Sequence, residues 1–270
     1  MQSERDSAGA ISVVVAGYGR LGAELARGLV QAPGFVLAGV ARAHPAGETL
    51  EVGGTQVPVS SHLPSLLDRV QPRVLVEASV ADAALEHALA AIERGIAPVI
   101  ATSGLPETAV ETIRRACHER GIGGVLAPNL SLGAVVLMHL AAIAARFFES
   151  VDIVELHRDG KADAPSGTAL HTARLLAQAR GRDFVRAPTT KLTLPDVRGG
   201  EVSGIGIHSI RLPGLVAHQE VIFGGLGQTL TLRHDTTSNE SYVPGLLLAI
   251  RYAVQARGLT VGLASLLGLE

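Results

Sequence analysis

Tryptophan is absent, cysteine occurs once, and aromatic residues make up 3% of a 270-residue chain in which neither sign of charge dominates. Each shortage excludes something. The single cysteine, Cys117, has no partner for an internal disulfide and cannot supply a cysteine-based zinc site, which fits a reducing compartment. Arg114, Arg115 and His118 stand beside it, yet it reads as an ordinary helical cysteine. The formal net charge is −2 and the basic residues are dispersed, so no stripe of Lys and Arg exists to neutralise a phosphate backbone, and nucleic acid is not an expected partner. No apolar run reaches the roughly 20 residues of a membrane span; the longest, Leu132 to Phe148, is interrupted by His139 and Arg146. The opening MQSERDSAGA lacks the apolar core of a signal peptide and is expected to be a frayed tail. No His-x-x-x-His pair or carboxylate cluster suggests a metal. A cytoplasmic protein with neither a membrane nor a nucleic-acid partner is the expectation.

With 47% hydrophobic residues, mostly Ala, Val and Leu, the chain can bury a substantial core. Ile11 to Ala16 is a β-branched run followed by a glycine turn and a helical pattern, and Phe35 to Val40 and Val74 to Val76 read as further strands separated by turn residues. An Ala-rich helix (Asp82 to Arg94), a strand (Pro98 to Ala101), a helix near Glu107 to Arg120 and a strand near Gly124 to Leu126 continue the alternation, which implies parallel βαβ units. Beyond Asn129 the character changes. A long apolar helix, Ser131 to Phe148, leads into Val151 to His157, and strand-like segments near Lys191 to Leu194, Ile205 to Leu212, His218 to Phe223 and Gln228 to His234 suggest a mixed, mostly antiparallel sheet. The expected architecture is α/β: a Rossmann domain over residues 1–129, an α+β domain over 130–239, and a terminal helical segment from about 240 to 270 that packs back onto the first.

Gly17, Gly19 and Gly22 form G-x-G-x-x-G directly after a strand and at the start of a helix. The first glycine permits the turn, the second lets the backbone approach a pyrophosphate, and the third permits close helix packing, so a nicotinamide dinucleotide is the expected cofactor. NAD-selective sites carry an acidic residue at the end of the second strand, but here that strand ends Ala41-Arg42-Ala43-His44. Arg42 stands where a 2′-phosphate needs a cation, so NADPH is expected to be preferred and NADH possible.

The segment Glu155 to Ala169 is the richest in chemistry. Alternation places Glu155 and His157 on one face of a strand and Val154 and Leu156 on the other, with His157 expected to point away from the apolar side. Lys161 follows in a loop, and Pro165-Ser-Gly-Thr168 opens a helix whose N–H groups and hydroxyls suit a small carboxylate. His87, His139 and His171 fall on helices without ligand partners, as packing or surface residues. His218 and His234, in sheet strands, are compatible with either a structural or a site role.

These motifs together resemble the dihydrodipicolinate reductase family. The resemblance covers nearly the whole chain: Gly17-Tyr18-Gly19-Arg20-Leu21-Gly22; Glu77-Ala-Ser79, similar to Asp-Phe-Thr; Ala101-Thr102-Ser103-Gly104, similar to Gly-Thr-Thr-Gly; Ala127-Pro128-Asn129-Leu-Ser131, similar to Ala-Pro-Asn-Phe-Ser; and Glu155-Leu-His157, Lys161 and Asp163 to Ala169. It implies that hydride from NAD(P)H reduces a cyclic, conjugated imine dicarboxylate after its hydroxyl leaves as water, in lysine and diaminopimelate biosynthesis. It implies His157 as general acid, Lys161 as a charge-stabilising carboxylate ligand, and Ser166, Gly167 and Thr168 as carboxylate receptors. Arg20 and Ser79 would lie by the nucleotide, and residues 101–104 and 127–129 would line the nicotinamide. A homotetramer assembled through the antiparallel sheet is implied as well. Two departures stand out: Arg158 replaces a second histidine, where it could contact a substrate carboxylate, and Gly160 precedes the lysine. Asn239 also stands in place of an arginine near the cofactor. Another NADP-dependent imine or semialdehyde reductase, or a non-catalytic NADPH sensor, are the competing readings.

Overall fold

The structure, a computed structural model, describes residues 9–269. The tail expected at the start of the chain lies outside these residues, except for its last two positions. The described chain divides into two compact units, one running up to Leu130 and resuming over Asn239–Gly268, the other comprising Ser131–Ser238.

The first unit is built on β1 (Ile11–Ala16), α1 (Arg20–Gln31), β2 (Phe35–Ala41), β3 (Thr49–Val52), β4 (Thr55–Ser60), α2 (Leu63–Val70), β5 (Val74–Glu77), α3 (Ala81–Glu93), β6 (Ala97–Ile100), α4 (Glu107–Arg120) and β7 (Gly123–Leu126), completed by α7 (Val243–Ala253) and β13 (Gly258–Val261). Its sheet has the order β13-β7-β6-β5-β1-β2-β4-β3, and every neighbouring pair is parallel except the β3/β4 hairpin. The inner strands β5, β6 and β7 are buried along their full length, as continuous apolar runs covered by helices on both faces must be. Chain order reverses between β1 and β5, which makes the carboxyl edge there the switch point of the sheet.

Two parts of this unit differ from the sequence reading. Residues between β2 and β5, expected to be turn-rich connection, hold the β3/β4 hairpin and α2. The hairpin turns at Gly53 and Gly54, both at positive φ, and its half-exposed edge strand carries too little apolar alternation to be read locally. The terminal helix, expected over Val243 to Ala256, ends at Ala253, and the tail expected after it holds a strand: after Gly258, at φ +80°, β13 adds to the sheet beside β7. Cys117 packs in the core of α4 and β7, where burial pushes its thiol up to about 11 and leaves it unreactive at neutral pH.

The second unit holds α5 (Leu132–Ala144), β8 (Ser150–His157), α6 (Gly167–Arg180), β9 (Gly200–Val202), β10 (Ile205–Arg211), β11 (Ala217–Gly225) and β12 (Gln228–Thr236). The sheet order is β12-β11-β8-β10-β9, with β8 and β10 parallel and the other pairs antiparallel. Val151, Ile153, Ile207, Val221 and Phe223 form the buried face. The expected strand at Lys191 to Leu194 does not form. That stretch is irregular and exposed, flanked by Pro188 and Pro195 and closed by a left-handed Asp196, and the edge is supplied by the short β9.

The facing of β8 also differs from expectation. Glu155 and His157 share parity with Val151 and Ile153 and therefore lie on the buried face, while Asp152, Val154 and Leu156 occupy the half-exposed one. Among the described residues no helix is long and apolar enough to cross a membrane, and no group of three or more His, Cys, Asp or Glu is placed to hold a metal.

Phe223 is wholly buried with its ring centroid 5.5 Å from that of Phe148, so truncation opens a cavity the sheet cannot close. Phe223→Ala is expected to cost about 3–5 kcal/mol in urea unfolding; a loss below about 1 kcal/mol would contradict this packing.

Candidate active site

In the first unit the strand register aligns the carboxyl ends. Ala16 pairs with Ala41 and Glu77, Glu77 with Ile100, and Ile100 with Leu126, so the residues that follow them leave the sheet along one level edge. Gly17, Arg42, Ala78, Ala101 and Ala127 are those residues. Gly17 takes φ +91°, and a Cβ there would meet the Ala78 carbonyl oxygen at 2.5 Å. A Cβ on Gly22 would lie 1.9 Å from the Gly17 carbonyl oxygen, whereas one on Gly19 would meet nothing within 4 Å. Two glycines are thus enforced by packing and the third by an open space, which is the shape of a cradle for pyrophosphate. Helix α1 starts at Arg20 without a side-chain cap, leaving its first N–H groups for an anion. Tyr18 and Leu21 are half-buried there, and the Arg42 guanidinium lies 5.7 Å from the centre of the Tyr18 ring. These residues fit a dinucleotide.

A second feature of this edge has little local signature in the sequence. Glu77 is wholly buried, and its carboxylate accepts hydrogen bonds from the Ser79 N–H at 2.7 Å, the Ser79 hydroxyl, the Thr102 hydroxyl at 3.3 Å and His87 Nδ1 at 2.6 Å. It joins the loop after β5 to the loop after β6, where Ser103 and Gly104 are exposed and Ala101 and Thr102 buried. Ala127 is buried, Pro128 exposed and Asn129 half-buried at the end of β7. The hydrogen bond to Glu77 raises the His87 pKa above its ordinary 6.5. His87 is thus more than a packing residue.

In the second unit one buried carboxylate organises a second cluster of polar residues. Glu155 accepts a two-pronged contact from Arg211, with Nη1 at 3.0 Å from one oxygen and Nη2 at 2.8 Å from the other. His157 Nδ1 donates to the first oxygen, and the Ser166 N–H donates to the second at 3.3 Å. Burial would raise the Glu155 pKa, but hydrogen bonds from His157, Arg211 and Ser209 hold it at about 2. Arg211 Nη2 also donates to the Asp163 carbonyl at 2.7 Å, and Lys161 Nζ pairs with the Asp163 carboxylate at 2.6 Å, which lowers the pKa of Asp163. Ser166 caps α6 by accepting from the Ala169 N–H at 3.1 Å, and Gly167 beside it has no atom within 4 Å of where a Cβ would stand. Thr168 is half-buried in the same first turn. Of the residues expected here, His157 and Ser166 contact this carboxylate directly; Gly167 and Thr168 continue the helix start, and Lys161 is linked to it only through Asp163 and Arg211.

Arg211 was missed by reasoning from sequence, because it stands 56 residues from Glu155 and meets it only through the parallel pairing of β10 with β8, which sets Ser209 beside Glu155 and Arg211 beside His157. Arg158 and Gly160 prove to be neighbours: a Cβ on Gly160 would lie 2.9 Å from an Arg158 guanidinium nitrogen. His218 pairs with Asp235 at 2.7 Å on the half-exposed sheet face, whereas His234 lies 3.4 Å from the Ser131 hydroxyl, where burial lowers its pKa. Asn239 opens a short 3-10 turn before α7.

The family profile described as "Dihydrodipicolinate reductase, N-terminus" matches residues 11–130, and "Dihydrodipicolinate reductase, C-terminus" matches 133–267. The chain is 44% identical to the 4-hydroxy-tetrahydrodipicolinate reductase of Moorella thermoacetica, over 95% of this chain and 98% of that one. It is 40% identical to the enzyme of the same name from Enterococcus faecalis, over 95% of this chain and 100% of that one. A solved structure of dipicolinate-bound dihydrodipicolinate reductase from Paenisporosarcina sp. TG-14 superposes with a TM-score of 0.84 at 34% identity, covering 95% of this chain and 99% of the other.

The His87–Glu77 pair carries a pH dependence. A histidine whose pKa is raised on folding contributes stability that is complete below its unfolded value, 6.5, and is lost as pH climbs through the higher folded value. The stability that His87 contributes is therefore expected to decline from about pH 6.5 upward, so the gap in melting temperature between the native chain and His87→Gln should narrow as pH rises; a gap that does not change with pH would show that His87 is not the titrating group.

Proposed function

The chain belongs to the dihydrodipicolinate reductase family and reduces 4-hydroxy-tetrahydrodipicolinate to tetrahydrodipicolinate, with loss of water, in lysine and diaminopimelate biosynthesis, and we propose that His157 is the acid of this reaction. It is a pyridine-nucleotide-dependent oxidoreductase with a small-molecule substrate. The observation that supports the role of His157 is that it and the start of α6 both bond the buried Glu155 carboxylate, while Arg211, on the same carboxylate, also bonds the Asp163 carbonyl in the loop that carries Lys161. Neither competing reading, a different imine or semialdehyde reductase or a nucleotide sensor, is favoured by any feature of the site.

The nucleotide supplies hydride when bound, and the rest of the chemistry belongs to side chains. Gly17 to Gly22, with Arg20, would hold the pyrophosphate, and Ser79, residues 101–104 and residues 127–129 would border the nicotinamide. Hydride addition leaves an electron pair on the substrate ring, and His157 Nε2 donates the proton that quenches it. Lys161 exchanges part of its bond to Asp163 for a substrate carboxylate and stabilises the developing charge. The free N–H groups of Gly167 and Thr168, with the Ser166 hydroxyl, receive the second carboxylate at the positive end of α6. Arg158, exposed and lying over Gly160, adds a cation for the same dicarboxylate.

NADPH is the proposed preferred donor. Arg42 follows β2, the position at which NAD-selective sites place a carboxylate, and its guanidinium over Tyr18 presents a cation to a 2′-phosphate. A homotetramer is proposed through the uncovered face of the second sheet, where half-exposed Val154, Leu156, Ile210 and Ile222 stand among paired charges such as Arg233–Glu220.

The direct test follows NADPH absorbance with the condensation product of pyruvate and aspartate semialdehyde, where oxidation is expected and its absence would refute the reading. His157→Ala is expected to lower kcat by about 10²–10⁴ with little change in KM, and Lys161→Ala to lower kcat and raise KM together; intact turnover in either would remove that residue from its role. Arg42→Ala is expected to reduce kcat/KM for NADPH by about tenfold or more while sparing NADH, a loss of roughly one charge-assisted hydrogen bond. An unchanged ratio between the two nucleotides would sink the specificity assignment.

A further inference from the structure

The arrangement around Glu155 goes beyond what holding a strand end requires. A carboxylate with no exposed surface is normally matched by one cation; this one is gripped by both terminal nitrogens of Arg211, by a backbone N–H at the start of α6 and by Nδ1 of His157. Through these partners it ties together three segments of the second unit. Through Ser166 it sets the start of α6, through Arg211 and the Asp163 carbonyl it sets the loop that carries Lys161, and through Nδ1 it sets the imidazole.

We propose that Glu155, locked by Arg211, is the positioning residue that dictates which nitrogen of His157 transfers its proton. The proposal rests on the reading of His157 as the acid. Glu155 can only accept at its carboxylate oxygens, so His157 must keep its proton on Nδ1 in both ionisation states. Nε2 is then the nitrogen that gains and loses a proton. In the reactive state Nδ1–H is bound to Glu155 and Nε2–H faces the substrate. Hydride brings an electron pair to the ring, oxidising the nucleotide. The ring takes the Nε2 proton, and His157 is left neutral with Nδ1–H in place and a lone pair on Nε2, which solvent reprotonates. Arg211 keeps the carboxylate from turning: both oxygens are engaged, and its second bond to the Asp163 carbonyl anchors the guanidinium in turn.

An amide at position 155 reverses this instruction. In Glu155→Gln the amide oxygen stays with the Ser166 N–H and Arg211 Nη2, the orientation that sets the NH₂ group against one fixed donor, Arg211 Nη1, rather than two; the NH₂ group also faces Nδ1 as a donor, forcing neutral His157 to carry its proton on Nε2 instead. The test compares steady-state kinetics and ¹⁵N imidazole spectra of the full-length native chain, Glu155→Gln and His157→Ala. The expected result for Glu155→Gln is a fall in kcat on the order of 10²-fold, with the substrate KM and NADPH affinity within about twofold, and a switch from the Nδ1–H to the Nε2–H tautomer. The double variant Glu155→Gln/Arg211→Gln leaves no buried charge unpaired and serves if the single variant does not fold; the same loss of kcat is expected of it. Native kcat in the folded amide variant overturns the proposal. So does a fall in kcat matched by a rise in KM with the Nδ1–H tautomer retained, which is the signature of a purely structural role. Loss of turnover in His157→Ala with none in Glu155→Gln removes the positioning role and leaves the acid assignment standing, while full turnover in His157→Ala removes the acid itself and this inference with it.

Discussion

The second unit is arranged around a charge that the sheet buries and then has to neutralise. Taking a carboxylate out of water costs several kcal/mol, and only close, multiple hydrogen bonding makes Glu155 tolerable inside the helix-covered face of β8. The partners that supply this compensation are the groups proposed to act in the reaction, or the segments that carry them. On that proposal desolvation and catalysis are one problem: the bonds that keep Glu155 charged also hold His157, the helix start at Ser166 and the Lys161 loop in mutual register.

The first unit repeats the device at its own carboxyl edge. Glu77, equally buried, spans the loops after β5 and β6, and the Gly17 turn packs against the Ala78–Ser79 backbone that Glu77 fixes. In both units a carboxylate on the buried face at a strand end joins loops that lie far apart in the chain. Loops that must approach ligands closely cannot hide much apolar surface, and a buried, fully satisfied acid supplies the rigidity that hydrophobic packing cannot.

The two differ in the charge that answers them. Arg211 engages both oxygens of Glu155 with its two terminal nitrogens, a fixed cationic partner for the carboxylate. Glu77 relies on hydroxyls, a backbone N–H and a histidine, and its surroundings change with pH. The departure at Arg158 belongs to neither hub. Its guanidinium lies over Gly160, so the two unusual residues occupy one place in the loop, and its carbonyl accepts from the Lys161 N–H at 3.2 Å.

The glycine turn, the alternation of apolar strands and helices, the single inert cysteine and the Ser-Gly-Thr helix start were all legible, because each depends on local geometry or on composition. A Cβ at Gly22 collides with a carbonyl only five residues away, and Ser166 caps a helix three residues on; such constraints are written in neighbouring letters. What the chain could not reveal locally depends on partners brought together by folding. The face of β8 was misread because Glu155 looks like a solvent-facing residue until Arg211, 56 positions away, is brought beside it by parallel pairing with β10. The β3/β4 hairpin and β13 carry weak patterns and become strands because an existing sheet edge offers them hydrogen bonds. Residue types and spacing determined the glycine cradle and the candidate polar groups, whereas tertiary pairing decided which charge is buried, what neutralises it, and hence which way the His157 imidazole is held.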